Sequence, residues 1–245
     1  MGEEVLGVLG GIGPLATIYF TDMVINMTDA KMDQEHIPMV IFNNPQIPDR
    51  TEYILDNSKP NPLPVMIKDA IKLENVGCDY IVIPCNTAHY FYSEIQKNVS
   101  VPIINIIKKT VEYIKNNQTD VKCIGILATQ GTIVTGSYQK EIIKNGLDYK
   151  VPDEKNQKSL MNIIYNGVKA GEEVDVCEFL RIVDDLKHDG CDAVILGCTE
   201  LSVINKSRLL VRNDIVDSLE VLARISIELC GKRVKDNALK MQVTK

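Results

Sequence analysis

Short runs of apolar, mostly β-branched residues alternate along the chain with longer segments of helical periodicity. The first run, at residues 5–9, is followed by a glycine-rich turn and by an apolar segment that begins at Pro14. Apolar runs of about four to eight residues, bounded by turn residues, are typical of buried strands. Because strands and helices alternate, the pattern predicts an α/β fold with parallel sheets and helices on both faces.

The same pattern predicts most of the remaining elements. Further strands are predicted at residues 38–42, 101–106, 123–127, 149–151 and 209–211. Helices are predicted at residues 14–29, 62–75, 108–115, 138–145, 158–169, 175–189 and 219–229. Residues 43–58 are too polar for a core segment and are predicted to form a loop.

One phrase occurs twice, at residues 77–87 and 190–199. In both copies Gly-Cys-Asp opens a buried apolar strand, and a second cysteine closes it: Cys85 in the first copy and Cys198 in the second. A helix is predicted after Cys85. The closing cysteines lie at the carboxyl ends of their strands, where open α/β sheets bind ligands. The opening cysteines, Cys78 and Cys191, lie at the other end and are interpreted as packing residues.

The repeat divides the chain into two similar halves. A polar stretch at residues 116–120 has no apolar periodicity, and the strand-and-turn pattern restarts after it. We therefore predict two α/β lobes, residues 1–114 and 115–215, each a parallel sheet flanked by helices and related by a pseudo-twofold axis. Such an arrangement brings Cys85 and Cys198 together across a cleft. The basic, polar tail at residues 231–245 is predicted to fray.

Composition narrows the class of protein. Of 245 residues, 45% are apolar and 24% charged, as is usual for a globular protein. The net charge of −6 gives no reason to expect nucleic acid or an anionic membrane as partner. No apolar run is long enough to span a bilayer, and the start of the chain lacks the basic segment of a signal peptide. Seven cysteines, an odd number, suggest reduced thiols in the cytoplasm.

A pair of thiols in a cleft has three chemical uses. Zinc is disfavoured because no two cysteines stand at C-x₂₋₄-C spacing and the chain has three histidines. A redox pair stays open, although no C-x-x-C motif is present. In the third use, a thiolate removes a proton from one face of a carbon while the opposed thiol protonates the other face. That chemistry inverts a stereocentre.

Three motifs resemble the cofactor-independent aspartate/glutamate racemase superfamily, closest to its aspartate racemase branch. They are Gly-Gly-Ile-Gly-Pro at residues 10–14, Pro-Cys-Asn-Thr-Ala-His at 84–89 and Gly-Cys-Thr-Glu-Leu at 197–201. The resemblance covers essentially the whole chain. It implies a homodimer of two-lobed subunits, no PLP, no metal, and an amino-acid substrate between the lobes. It also implies that the last helix, residues 216–230, joins the first lobe.

The resemblance also implies roles for particular residues. Cys85 and Cys198 would be the catalytic pair. The substrate would be bound by Gly11, Ile12, Arg50, Asn86, Thr87, Thr129, Lys169 and Thr199, with His89 and Glu200 in support. Arg50 and Lys169 match positions that hold the side-chain carboxylate in aspartate racemases.

Each of these roles has a plainer alternative. Asn and Thr after a strand commonly cap the next helix, and a single Lys or Arg is usually a solvated surface cation. His89 has a structural role as its alternative to assisting Cys85, and Glu200 has helix capping as its alternative to orienting Cys198. Glutamate racemases typically carry His at the position of Glu200, which favours the aspartate branch. The leading expectation is therefore racemisation of L- and D-aspartate. Glutamate or broad-specificity racemisation, and a non-catalytic redox or ligand-binding protein, stay as alternatives.

Overall fold

Two parallel four-stranded sheets form the framework of the protein. The computed structural model describes residues 3–118, 120–205 and 212–235. The strand order is β2-β1-β3-β4 in the first sheet and β6-β5-β7-β8 in the second, so the second sheet repeats the order of the first. The sheets are flanked by helices, which confirms the predicted α/β fold with two similar lobes.

The first sheet is built from the first half of the chain. Its strands are β1 (Leu6–Gly10), β2 (Met39–Asn43), β3 (Tyr80–Val82) and β4 (Ile103–Ile104). Its helices are α1 (Pro14–Met27), α2 (Arg50–Leu55), α3 (Leu63–Asn75), α4 (Tyr92–Gln96) and α5 (Ile106–Asn117), with 3-10 turns at Asp33–Glu35 and Thr87–Phe91.

The second sheet follows the same plan. Its strands are β5 (Cys123–Leu127), β6 (Asp148–Lys150), β7 (Ala193–Leu196) and β8 (Ile215–Asp217). Its helices are α6 (Gln130–Thr135), α7 (Ser137–Lys144), α8 (Glu154–Asn162), α9 (Val176–His188) and α10 (Thr199–Asn205), with a π-helical turn at Ile163–Lys169 after α8.

The last helix, α11 (Ser218–Leu229), packs on helices of the first lobe. Its Leu222 and Ile227 share one apolar cluster with Phe20 of α1 and Val111 of α5. Burying these side chains is favourable by roughly 1.5–3 kcal/mol each. The chain thus crosses back to the first lobe after completing the second sheet. The division at residues 114 and 215 stays a prediction.

Several element boundaries differ from those expected. The ladder of β3 covers three residues and that of β4 two, so the predicted strands were too long. Residues 43–58 are only partly a loop, because they contain α2, where Arg50 and Thr51 are buried. The prediction was wrong because it took polar side chains for surface ones, whereas these two face an interlobe cavity. The predicted strand at 209–211 lies outside the described residues.

The turn after β1 requires glycine at residue 11. Gly11 has a φ of +92°, in the left-handed region that favours glycine. A Cβ added there would also lie 2.2 Å from the backbone carbon of Asn44. Glycine at this position therefore lets the backbone of the turn pack directly against the segment after β2. Within the described ranges, no helix has the length and apolarity needed to cross a membrane.

Candidate active site

A small cavity lies between the lobes at the carboxyl ends of the central strands. Both cysteines of the repeated phrase line it, Cys85 three residues after β3 and Cys198 two residues after β7. The other lining residues are Asp49, Arg50, Thr51, Asn86, Thr87, Thr129, Tyr165, Lys169, Thr199 and Glu200. All seven cysteines lie in the described part of the chain and none is disulfide-bonded. The repeat therefore delivers two buried, reduced thiols to one cavity.

The Glu200 carboxylate connects Cys198 to the ammonium group of Lys169. The Cys198 thiol donates a hydrogen bond to Glu200 Oε2 at 2.9 Å, and Lys169 Nζ lies 2.8 Å from Glu200 Oε1. Burial raises the pKa of Glu200, but the Lys169 charge and the hydrogen bonds from Cys198 and Lys169 together lower the pKa below its ordinary value. Burial likewise opposes the charge of Lys169, and Glu200 holds its pKa above the ordinary value. Cys198 thus faces a salt-bridged carboxylate.

The two thiols have different electrostatic surroundings. Burial raises the pKa of Cys85, while the positive charge of Arg50 is the largest influence that lowers it. Burial raises the pKa of Cys198 well above its usual value, and the negative charge of Glu200 raises it further. The Cys198 thiol is therefore held protonated more strongly than the Cys85 thiol.

Arg50 offers an unsatisfied donor beside the cavity. It is 7% exposed, and its Nη1 donates to the carbonyls of Ile47 at 3.2 Å and Pro48 at 2.7 Å. Its buried Nε has no hydrogen-bond partner among the described residues. A buried donor without a partner is costly, so this group is suited to an anionic ligand.

Three threonine hydroxyls meet where the lobes come together. Thr87 Oγ1 lies 2.8 Å from Thr129 Oγ1 and 3.0 Å from Thr132 Oγ1. Thr129 also caps α6 by accepting a bond from the Thr132 amide. Both anticipated roles of a threonine after a strand, capping and lining the cavity, therefore occur in Thr129.

Asn86 serves to join parts of the fold. Its Oδ1 accepts a 2.6 Å bond from the Tyr138 hydroxyl, and its Nδ2 donates to Ser218 Oγ at 3.0 Å. Ser218 in turn donates to the carbonyl of Leu196, the last residue of β7. Asn86 lines the cavity, but its side chain ties the end of β3 to α7 and α11. Its predicted contact with substrate stays a prediction.

The imidazole of His89 is bonded to backbone groups on both sides. Its Nδ1 lies 2.8 Å from the Cys85 carbonyl, and its Nε2 accepts a bond from the Ile106 amide. Since an acceptor at Nε2 requires the proton on Nδ1, the network assigns the neutral tautomer with Nδ1–H donating. Burial lowers the pKa of His89 to about 4. These contacts give His89 a structural role, holding the segment after β3 against the start of α5.

Sequence analysis did not single out Asp49 and Tyr165. The Tyr165 hydroxyl lies 3.2 Å from both carboxylate oxygens of Asp49, and Lys169 Nζ lies 5.4 Å from the Tyr165 ring centroid. Part of this signal was present in the sequence, because Tyr165 stands four positions before Lys169 and residues four apart lie on the same side of a helix. The partnership with Asp49 depends on the other lobe.

A second, more open cavity of ≈ 280 Å³ adjoins the first. It shares Asp49, Arg50, Lys169 and Glu200 with the inner cavity, and its outer wall consists of Gly11, Gly13, Pro14, Leu15, Ala16, Pro45, Ile47 and Val168. Gly11 therefore borders the outer space. Ile12 is buried in the apolar core beneath the turn, in one cluster with Leu9 and Cys85.

Known proteins share this fold and much of this sequence. The family model described as Asp/Glu/Hydantoin racemase matches residues 9–225. A curated relative, the broad specificity amino-acid racemase RacX of Bacillus subtilis, is 29% identical over 228 residues, covering 91% of this chain and 96% of the relative. A glutamate racemase of Persephonella marina is 31% identical over 156 residues, 62% of this chain and 58% of the relative. The solved structure of Picrophilus torridus aspartate racemase superposes with a TM-score of 0.80 at 29% identity, covering 98% of this chain and 100% of that one.

Proposed function

The chain belongs to the Asp/Glu/Hydantoin racemase family, and on that basis we propose that Cys85 and Cys198 interconvert the enantiomers of an amino acid. The observation that carries the proposal is the meeting of two buried, reduced thiols in one interlobe cavity that also contains two cationic side chains. The reaction needs no PLP. One sulfur removes the α-proton while the other delivers a proton to the opposite face.

The two thiols begin the cycle in different states. Cys85 lies in the field of the Arg50 guanidinium, and the protonated Cys198 thiol donates a hydrogen bond to Glu200. We assign Cys85 as the base and Cys198 as the acid of the resting protein. After one turnover Cys85 carries a proton and Cys198 is the thiolate, stabilised by the nearby Lys169 charge. The opposite enantiomer then reverses the transfer.

Aspartate is the substrate that the charges favour. Lys169 is already neutralised by Glu200, whereas the Nε of Arg50 has no partner among the described residues. A second carboxylate on the substrate would satisfy that donor, and a guanidinium binds carboxylate with directional hydrogen bonds. We assign Arg50 the main contact with the side-chain carboxylate and Lys169 a weaker one. The likeness to the Picrophilus torridus aspartate racemase supports this choice.

The rest of the lining is assigned to the α-carboxylate and the amino group. Thr87, Thr129 and Thr199 are proposed as hydroxyl contacts. The Gly11 amide already donates to Thr17 Oγ1 at 2.9 Å, so the Ile12 amide is proposed as the donor from this turn and Gly11 as a backbone contact at the cavity's outer edge. Exclusion of water favours removal of the weakly acidic α-proton. Tyr165 and Asp49 from opposite lobes support such a closed site by their mutual contact.

Broad specificity is the second candidate. The outer cavity adjoins the catalytic one and carries apolar side chains, including Leu15, Ile47 and Val168. A substrate side chain longer than that of aspartate could extend into it. The relative from Bacillus subtilis, named for broad specificity, is consistent with this reading.

We further propose a cytoplasmic homodimer. In support, α1 exposes Leu15, Ile18 and Ile25, at 53%, 53% and 46%, along one side of the helix. Apolar residues repeated at this spacing on a surface helix are suited to packing against a partner. Sedimentation of the full chain at micromolar concentration checks the assembly, and a monomer would contradict it.

The decisive experiment is exchange of the substrate α-proton in D₂O, followed by NMR over a panel of L- and D-amino acids. Both enantiomers of aspartate should lose their α-proton signal. A Cys85→Ser/Cys198→Ser double variant should show no exchange, while Cys78→Ser should behave like the parent protein. Exchange with many amino acids would favour broad specificity. If no amino acid exchanges, the cleft is a redox or ligand-binding site instead.

A further inference from the structure

A second pair of sulfurs lies at the opposite end of the second sheet. Cys123 begins β5, and Cys191 lies two residues before β7. Their Sγ atoms are 3.9 Å apart, in thiol contact. Cys191 is buried, whereas Cys123 is partly exposed. Neither residue borders the catalytic cavity, so the pair has no part in the proposed racemisation.

The sheet register brings the two backbones to a disulfide distance. Ile124 pairs with Ala193 across the parallel strands, so Cys123 and Cys191 are diagonal neighbours one residue out of register. A strand spacing of about 4.8 Å and a rise of about 3.3 Å per residue place their Cα atoms about 6 Å apart. That is the usual Cα separation in a disulfide, about 5.5–6 Å.

Local hydrogen bonds hold this register. The Asp192 amide donates to the Cys123 carbonyl at 2.8 Å, and the Cys123 amide donates to Asp192 Oδ2 at 2.9 Å. Because the backbones are held on both sides, the sulfurs need to approach by only about 2 Å through side-chain rotation.

The first lobe provides an internal comparison. Its strand β1 occupies the place of β5, and Val5 stands before it where Cys123 begins β5. Cys78 matches Cys191 in the repeated phrase, but the residue opposite Cys78 is Val5 rather than a cysteine. The thiol pair is therefore a feature of the second lobe.

We propose that Cys123 and Cys191 form a reversible disulfide site, oxidised by peroxides and reduced by small dithiols. Hydrogen peroxide converts the accessible Cys123 thiol to a sulfenic acid and releases water. The Cys191 sulfur then attacks the Cys123 sulfur, forming the S–S bond, and the sulfenic oxygen leaves as a second water with the remaining thiol proton. Two thiols are oxidised by two electrons and one peroxide is reduced.

Charges around the pair fit this order of events. The pKa of Cys191 is raised to about 12, mainly by burial and in smaller part by Cys123 and Asp189, while Lys150 opposes the shift. Cys191 is therefore a poor first target for peroxide. Lys150 donates to the Asp189 carbonyl and keeps its positive charge near the Cys191 sulfur, where it favours the thiolate in the second step.

The disulfide should stabilise the second lobe without stopping turnover. It closes a loop of the unfolded chain that runs from residue 123 to residue 191, which includes β5, β6 and the helices α6 to α9. The effect expected is a rise in Tm of about 4–10 °C. The pair lies at the amino ends of the strands, whereas the catalytic cysteines follow their carboxyl ends.

The test uses the full chain treated with hydrogen peroxide, followed by alkylation and peptide mapping. The expected result is a peptide pair joining residues 123 and 191, two hydrogens lighter than the reduced peptides and lost on treatment with dithiothreitol. The Tm should rise on oxidation in the parent and fall again on reduction. Because peroxide can also modify Cys85 and Cys198, the Tm is measured again in a Cys85→Ser/Cys198→Ser background.

Two variants separate this site from general oxidation. In Cys123→Val, which copies the first lobe, and in Cys191→Ser, the linked peptide and the rise in Tm should both disappear. Cys177, which is exposed, provides a thiol that should be oxidised without joining either residue. Recovery of Cys123 as sulfinic acid with Cys191 still reduced would overturn the proposal. A rise in Tm on oxidation of Cys123→Val as large as that of the parent would also overturn it.

Discussion

The Cys198 thiol donates a 2.9 Å hydrogen bond to Glu200, and this contact makes the two cysteines of the cavity inequivalent. Its counterpart Cys85 lies instead in the field of a guanidinium, that of Arg50. A pseudo-symmetric pair of strands thus presents one thiol to an anion and the other to a cation. The chemistry that we propose uses this difference, since one sulfur must begin as base and the other as acid.

Substitution of Glu200 should shift the ionisation of Cys198. In Glu200→Gln the burial of Cys198 remains, but the negative charge that raises its pKa further is removed. The rate of Cys198 alkylation by iodoacetamide, followed by peptide mass, should therefore rise at a lower pH than in the parent. In the parent, Cys85 should react before Cys198. Glu178→Gln on the surface is the matched control, and an unchanged Cys198 profile in Glu200→Gln would contradict the assignment.

Loss of either catalytic thiol should abolish racemisation in both directions. A serine hydroxyl is a much poorer base than a thiolate near neutral pH, while the change of shape is small. Cys85→Ser and Cys198→Ser should each retain slow α-deuterium exchange, with opposite enantiomers, because the remaining thiolate reaches one face. NMR in D₂O measures both quantities. Full racemisation in either variant would refute the two-thiol mechanism, and Cys78→Ser should leave turnover nearly intact.

Removal of the Arg50 side chain should weaken turnover of aspartate more than removal of Lys169. A charge-assisted hydrogen bond is worth about 1.5–3 kcal/mol, which corresponds to a loss of roughly 10- to 100-fold in kcat/KM for Arg50→Ala. Lys169→Ala should have a smaller binding effect, because Glu200 already neutralises that charge. Arg50→Lys should recover part of the loss. Equal kinetics for parent and Arg50→Ala, with Arg181→Ala as surface control, would show that Arg50 does not contact the substrate.

His89 should make stability depend on pH. Burial lowers its pKa from 6.5 to about 4, so the unfolded chain binds a proton between these values while the folded one does not. Its contribution is fully present above pH 6.5 and is lost as pH falls toward 4, by about 3 kcal/mol at 1.36 kcal/mol per pKa unit. The stability gap between parent and His89→Gln in urea unfolding should narrow over this range. A gap independent of pH would mean that folding does not shift the pKa of His89.

Much of the architecture follows from local patterns in the sequence. The alternation of buried apolar runs with amphipathic segments predicted the α/β class, and the repeat of one phrase predicted two similar lobes. The structure adds that the two sheets have the same strand order. The repeat also predicted that Cys85 and Cys198 would occur at corresponding places. These features are readable because strand and helix periodicities, and the closing of a strand by a polar turn, depend on residues close together in the chain.

Tertiary structure alone decided which partners the site residues have. Nothing near Arg50 in the sequence shows that its Nε is buried without a partner, and Glu200 is distant in sequence from Lys169. His89 and Asn86 stand beside Cys85 in the motif, yet their side chains are engaged with Ile106, Tyr138 and Ser218. Burial, charge and hydrogen bonding depend on groups that meet only when the lobes pack together. The ionisation of each thiol is therefore a property of the assembled cleft.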